Sequence, residues 1–319
     1  MDTSQQANLF QAEIERLQKI RTYLSKAVLA ANTISSYAYD WSMFAAFCKR
    51  ISRPALPATP DTLGLYLTHI LDAGKAIKTA RRRTCAITHY HRQAGFKTPC
   101  TEEVKRLLFG ATRQRIERPR QKEPLQVEQL RMIADRLRAQ NTTMAARDLA
   151  ILVLGFASAL RRSNIVTIGL EDVEFTARGL IVTIHREKQD QEGEGRIIAL
   201  PKGTDPRTDP VLCVRSWLMR RGPAPGRLFT RLDRGDVGGP MDAEAVAKIV
   251  KRSVALIGLD PRLYGAHSLR AGFVTEAAEQ GVSDTLIASH TGHRSVQSLR
   301  FYYRRRRLWT GNAAGMVGL

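Results

Sequence analysis

The sequence predicts a mainly α-helical protein of two domains with one small antiparallel β-sheet. Apolar residues recur at i, i+3 and i+4 through most of the chain, the spacing that gives a helix one buried face. The period shortens to alternation only between Asp172 and Leu200. The stretch QRIERPRQKEPLQ, from Gln114 to Gln126, has no apolar period and carries prolines at 119 and 124, so it separates two helical cores. With 319 residues the chain can build both, since one domain takes roughly 100 to 200 residues. The expected boundaries are 1–116 for an N-terminal helical domain, 117–126 for the linker and 127–319 for the second domain.

In the first domain, Asn32 or Thr33 is positioned to cap a helix through Tyr37, Trp41, Phe44 and Phe47. A second helix starts after Pro60-Asp61 and carries Leu63, Leu65, Leu67 and Ile70. A third spans Ile77 to Gln93 and ends at Gly95. The third turns Ile87 and Tyr90 to the core and presents Lys75, Lys78, Arg81, Arg82 and Arg83 as a cationic strip. In the second domain, helices are expected from Val127 to Gln140 and from Arg147 to Leu160. Three short strands follow, Asp172 to Phe175, Leu180 to Ile184 and Arg196 to Leu200, and helix resumes after Asp242.

Lys+Arg 50 against Asp+Glu 30 gives a formal net charge of +20 and a pI near 10.4. That balance points to a polyanionic partner, nucleic acid first, and selects the strip as a DNA-backbone contact over a merely solvated face. A membrane partner is not expected: there is no long apolar run, and the opening MDTSQQANLF lacks the basic-then-apolar order of a signal peptide. The expected location is the cytoplasm, associated with a bacterial nucleoid. Cys48, Cys85, Cys100 and Cys213 have no CxxC spacing and support neither a zinc site nor a disulfide framework. His290 and His293 form an HxxH pair without a third ligand, a weak metal motif, and His290 reads better as a packing residue.

The chemistry-bearing residues concentrate near the C-terminus. His267 and Arg270, at i and i+3, share one face of a helix that Ser268 can cap and Gly281 ends. A short helix from Asp284 to His290 closes at Gly292 before His293. Ser295 then caps a helix carrying Tyr302, nine residues after His293. A tyrosine hydroxyl, with a pKa of about 10, is a weak nucleophile unless cations that bind a phosphodiester converge on it.

The segment from His267 to Tyr302, HSLRAGFVTEAAEQGVSDTLIASHTGHRSVQSLRFY, resembles the active-site half of the tyrosine recombinases, or phage integrase family. ASALRRSNIVTI resembles that family's first arginine box, the Lys188 loop its strand-to-strand lysine hairpin, and the N-terminal helices its core-binding domain. The resemblance implies a catalytic set of Arg161, Lys188, His267, Arg270, His293 and Tyr302. In it Tyr302 is the nucleophile, the two arginines bind the non-bridging oxygens, His267 is the base, Lys188 the acid, and His293 donates to the phosphate. It favours Arg161 over Arg162, and Tyr302 over Tyr303. It implies a site-specific recombinase acting on duplex DNA through a 3′-phosphotyrosine, with no ATP, metal or other cofactor. The implied partners are a specific recombination site, a homotetramer on synapsed DNA, and accessory DNA-bending proteins. Type IB topoisomerase-like relaxation and a catalytically silent DNA-binding regulator are the alternatives.

Two departures from the family pattern stand out. Asn164 occupies the position three after Arg161 that is usually acidic, and Ala271-Gly272 follows Arg270 where many members carry a histidine or arginine. The tail after Tyr303, RRRRLW and a small-residue end, reads either as a solvated basic run or as an apolar segment that docks on a neighbouring protomer.

Overall fold

The computed structural model describes residues 13–14, 16–18, 31–115, 121–185, 195–293 and 295–299. The chain forms two compact units, Met1–Pro119 and Arg120–Leu319, each with its own core.

The first unit is built from α1 (Ala31–Arg50), α2 (Pro60–Asp72), α3 (Ile77–Gln93) and α4 (Glu102–Gln114). Asn32 and Thr33 lie inside α1 and not at its cap. For α2, the Thr59 side chain accepts from the Thr62 amide at 3.2 Å, and Pro60 occupies the first turn, where a missing N–H costs nothing. Phe44, Leu63, Leu67 and Ile87 are fully buried, whereas Leu65 faces solvent, one residue off the apolar stripe. His91 is a core residue. Its Nδ1 donates to Ile87 O at 2.8 Å and its Nε2 accepts from the Ala58 amide at 2.9 Å, which satisfies the neutral ring completely.

The cationic strip is only partly as the helix period suggests. Lys75, Lys78, Arg81 and Arg82 are exposed, but Arg83 is buried, donating to the Tyr66 hydroxyl at 2.6 Å and lying 3.6 Å from Asp40. Asp40 is fully buried, with Arg82 2.7 Å away. Its burial pushes the carboxyl up, and the two arginines oppose that shift. Arg83 therefore stabilises the unit from within and drops out of the exposed face.

The second unit is organised around α6 (Thr143–Ala157), buried along nearly its whole length and packed against α5 (Val127–Gln140), α8 (Pro210–Arg221) and α10 (His267–Glu279). An apolar surface on all sides makes α6 an inner helix. It starts earlier than the expected Arg147, because Thr142 caps it by accepting from the Ala145 amide at 3.1 Å. It stops before Leu160, because the backbone turns left-handed at Ala159. The short α7 (Arg162–Thr167) leads to β1 (Val173–Phe175), β2 (Gly179–Ile184) and β3 (Arg196–Pro201), an antiparallel sheet in the order β1-β2-β3. Phe175 pairs with Leu180 and Ile184 with Arg196, so residues 186–194 connect the adjacent ends of β2 and β3.

Sequence periodicity missed a second sheet, β4 (Thr230–Asp233) with β5 (Asp236–Pro240), whose strands are short, the second with two glycines, and carry little alternation. Buried Asp148 of α6 holds it in place: it accepts from Arg147 at 2.8 Å and pairs with Arg252 of α9 (Ala243–Ala255), while Arg147 donates to Thr230 O at 3.2 Å. The remaining helix, α11 (Asp284–Thr291), begins at Ser283, whose side chain accepts from the Leu286 amide.

Half of the expected linker belongs to the second unit. Leu125 is fully buried, the Glu123 amide donates to Leu263 O at 2.9 Å, and the Leu125 amide donates to Ser268 O at 3.0 Å. Pro124 lies between the two donors, so its missing N–H interrupts nothing. Residues 121–126 thus lie against the first turn of α10, and Gly272 makes the approach possible: a Cβ there would stand 2.0 Å from Leu125 O. Gly272→Ala is expected to lower the urea unfolding free energy of the second unit by about 1–3 kcal/mol, since a backbone carbonyl cannot swing aside as a side chain would. An unchanged unfolding midpoint would show that the segment is free to lift.

Candidate active site

The site begins with a strained turn. After α6 the Ser158 hydroxyl donates back to Leu154 O at 2.6 Å, and Ala159 then adopts φ +50, a conformation that costs a residue with a Cβ about 1–2 kcal/mol. This sends Leu160 into the core and makes Arg161 the first flanking residue of α7. Two side chains hold the turn. Arg270 Nη1 donates to Ala159 O at 2.8 Å, and His290 Nε2 donates to Ala157 O at 2.8 Å. Because a carbonyl only accepts, the His290 proton sits on Nε2; its ring also stacks on Phe273, with centroids 4.5 Å apart. Arg162 pairs with Glu244 at 2.7 Å, so Arg161 is the arginine of this turn directed at the site histidines.

His267 is the first residue of α10 and Arg270 follows one turn later. Ser268 is not the cap; it lies within the helix and its hydroxyl accepts from the Gly265 amide at 3.1 Å. Arg270 is 2% exposed and is the junction of the site. Besides Ala159 O, Nη1 donates to Thr291 O at 2.7 Å, and Nη2 lies 3.0 Å from Nε2 and 3.2 Å from Nδ1 of His293. Gly292, at φ +67, ends α11 in the left-handed conformation that favours glycine and brings His293 back over the helix end. The Thr291 hydroxyl completes the set, 2.6 Å from His293 Nδ1.

Burial is the first cause holding the His267 imidazole below its usual pKa, followed by the Arg270 and Arg161 charges. His293 is pushed down to about 4 by burial, then by Arg270, Arg161, His267 and Arg196. Burial, the first cause, also lowers His290, where the bond to Ala157 opposes it and Arg196 and Arg270 add to it. Burial thus leaves the three imidazoles neutral, and the guanidiniums beside them add a positive field that suits an anion.

The structure therefore brings Arg161, His267, Arg270 and His293 together. Lys188 and Tyr302 lie outside the described residues, as does the expected helix carrying Tyr302; Ser295 instead accepts from Gln297 within a 3-10 turn, Val296–Leu299. Asn164 is buried, its backbone N–H donating to Arg161 O at 2.8 Å and its side-chain Oδ1 accepting from Ser163 at 3.2 Å. Sequence reasoning missed Arg196. This first residue of β3 donates to His290 O and ties the foot of the lysine loop to the C-terminal end of α11, where a cation also suits the helix dipole. Among the described residues no group of three His, Cys, Asp or Glu side chains is placed to hold a metal, and no helix is long and apolar enough to cross a membrane.

Residues 123–307 match the phage integrase family, a span that runs from before Arg161 to beyond Tyr302. The chain is 35% identical to an integrase/recombinase, a xerD homolog of Selenomonas ruminantium, over 94% of this chain and 89% of that relative. It is 24% identical to the recombinase cre of Escherichia phage P1 over 82% of this chain and 80% of that one. Its fold is similar to that of the Tn1549 transposon integrase in complex with transposon right end DNA, with a TM-score of 0.62, 14% identity, and coverage of 89% of this chain and 92% of that one. The chain belongs to the phage integrase family, the tyrosine recombinases, whose members are enzymes that break and rejoin DNA.

The lowered histidines have a consequence for stability. The unfolded chain binds protons at about pH 6.5, whereas folded His293 binds one only near pH 4. Between those values the unfolded state holds more protons, so stability is fully present above about pH 6.5 and is lost as the pH falls through the window. The urea midpoint is expected to drop between pH 7 and pH 4.5, and His293→Gln to make that drop smaller. Equal drops in the two proteins would place the proton uptake elsewhere.

Proposed function

We propose that this chain is a site-specific DNA recombinase that cleaves and reseals duplex DNA through a 3′-phosphotyrosine formed on Tyr302. One observation carries the reading: Arg161, His267, Arg270 and His293, from three separate stretches of sequence, come close enough for the arginine charges to act on both histidines, with Arg270 Nη2 3.0 Å from His293 Nε2. A phosphodiester suits that charge. The guanidiniums of Arg161 and Arg270 stabilise the charge that builds on the non-bridging oxygens, without a metal ion.

In the proposed step the Tyr302 oxygen attacks phosphorus while His267 takes the phenolic proton. A neutral imidazole is ready for this, and its lowered pKa keeps the lone pair free at neutral pH. The bond from phosphorus to the 5′ oxygen breaks, and Lys188 protonates the departing oxygen. The arriving anion offsets the arginine charges, which lets His293 take up a proton and donate to a non-bridging oxygen. Attack by another 5′ hydroxyl reverses the step and joins the new partner. Lys75, Lys78, Arg81 and Arg82 contact the DNA backbone in this reading, which their exposure supports. Four protomers exchange strands in pairs at a specific site, the tail after Tyr303 bridges neighbours, and accessory DNA-bending proteins assist assembly. The place of action is the bacterial nucleoid in the cytoplasm.

Tyr302→Phe removes one hydroxyl and little volume. It is expected to bind DNA normally, to form no covalent protein–DNA adduct on denaturing gels and to recombine nothing, while Tyr303→Phe stays active. An adduct in the Tyr302→Phe protein would move the nucleophile elsewhere.

Lys188→Ala tests the acid. Its cleavage of normal DNA is expected to fall about 100-fold or more, the scale of general acid catalysis. DNA with sulfur at the bridging 5′ position needs no acid, because a thiolate leaves readily, so the variant should cleave it nearly as fast as wild type. Arg270→Ala should gain nothing from sulfur, because its charge acts on the non-bridging oxygens. A Lys188 variant that sulfur does not rescue would make the lysine a phosphate or groove contact.

A further inference from the structure

The Thr291 hydroxyl has two polar neighbours at equal distance, Ile287 O at 2.6 Å and His293 Nδ1 at 2.6 Å, and a third, Ala288 O, at 3.3 Å on the same side as Ile287 O along the helix backbone. A hydroxyl has one proton. Ile287 O can only accept, and two oxygens at this separation with no proton between them repel, so the Thr291 proton points to Ile287 O. Toward His293 the hydroxyl then offers a lone pair, and Nδ1 must carry the hydrogen. In a neutral ring that leaves Nε2 unprotonated, with Arg270 Nη2 3.0 Å away and over the ring. The 3.2 Å separation between Nη2 and Nδ1 is then proximity alone, since a protonated Nδ1 has no lone pair to offer.

We infer that Thr291 is a positioning residue for the reaction: its hydroxyl holds His293 in the Nδ1–H tautomer and so makes Nε2 the nitrogen that works on the phosphate. The inference rests on the reading that His293 acts at the phosphodiester. When the anion arrives, Arg270 Nη2 turns its hydrogen from the His293 ring to a non-bridging oxygen. Nε2 then takes a proton from solvent and donates it in a hydrogen bond to the same phosphate. Nδ1–H stays on Thr291 throughout, so the ring changes protonation state without rotating. Thr291 is well suited to the task because it is fully buried and its own carbonyl accepts from Arg270 at 2.7 Å, so the residue registers histidine and arginine against one another.

The test uses the full chain with 15N-labelled histidine at pH 7.5, where a ring whose pKa is about 4 is neutral. Ring-nitrogen NMR of the DNA-free protein should show His293 protonated at Nδ1 and bare at Nε2. Thr291→Val, which keeps the shape and loses the acceptor, should shift the ring toward the Nε2–H tautomer. Its cleavage rate should fall about tenfold at unchanged DNA affinity, the scale of losing one hydrogen bond. Thr291→Ser should restore both the tautomer and the rate. A wild-type His293 in the Nε2–H form overturns the inference, as does a valine variant that cleaves at the wild-type rate, or one that slows but is not restored by serine. His293→Gln separates the two claims. A wild-type cleavage rate in that variant overturns the reading of the site, and with it the role of Thr291, whatever the tautomer.

Discussion

The whole site depends on keeping the Arg270 guanidinium, 2% exposed, in place at the end of three chain segments. Taking such a charge out of water is costly unless its donors are satisfied in good geometry. Two backbone carbonyls, Ala159 O and Thr291 O, and the His293 ring meet that demand. Each bond joins a different segment to α10. The first binds the strained turn that presents Arg161, the second the C-terminal end of α11, the third the histidine beyond it. One side chain therefore sets the mutual positions of the other three described members of the site. Its removal would withdraw the proposed phosphate ligand and release the scaffold for the others in the same stroke.

Local rules of chain folding are broken where this scaffold is assembled. Ala159 occupies a left-handed conformation that a Cβ disfavours, and it persists because Arg270 and His290 hold the carbonyls at 159 and 157 from the far side. Gly272 replaces a side chain by a close backbone approach, which brings residues 121–126 onto the helix that carries His267 and Arg270. Strain at one end and a missing side chain at the other are compensated by hydrogen bonds that converge on the same two helices. That is the pattern expected when precision at a site is favoured over local comfort.

Much of this was legible in the sequence. The spacing of His267, Arg270, Gly292 and His293 anticipates two helices and a turn, and Ile77 to Gln93 was read to the residue. Alternation found the three strands, and the pairing of Arg161 with the site followed from its box. Other features depend on contacts that no period encodes. Arg83 lies in a run that reads as exposed until Asp40, more than forty residues earlier, is seen to be buried beside it. The second sheet is too short and too rich in glycine to alternate. The segment 121–126 reads as a linker because its role is to offer backbone donors, which side-chain identity does not reveal. Arg196 becomes meaningful only when the carbonyl end of α11 is found against it.

The charges that prepare this site for a phosphate also bear on what its histidines are beforehand. Burial first, and then Arg270 and Arg161, depress both His267 and His293, so the DNA-free site holds bases in place of acids. For His267 that state suits the removal of a phenolic proton. For His293, in the proposed role of donor, it is the wrong state; burial is its first cause, and the arginine charges that add to it are the part a phosphodiester would offset. In that proposal an anion between the guanidiniums also supplies an acceptor for the ring's proton. In the proposed reaction, proton uptake at His293 is coupled to DNA entry, and the site assumes its full set of donors only with the phosphate in place.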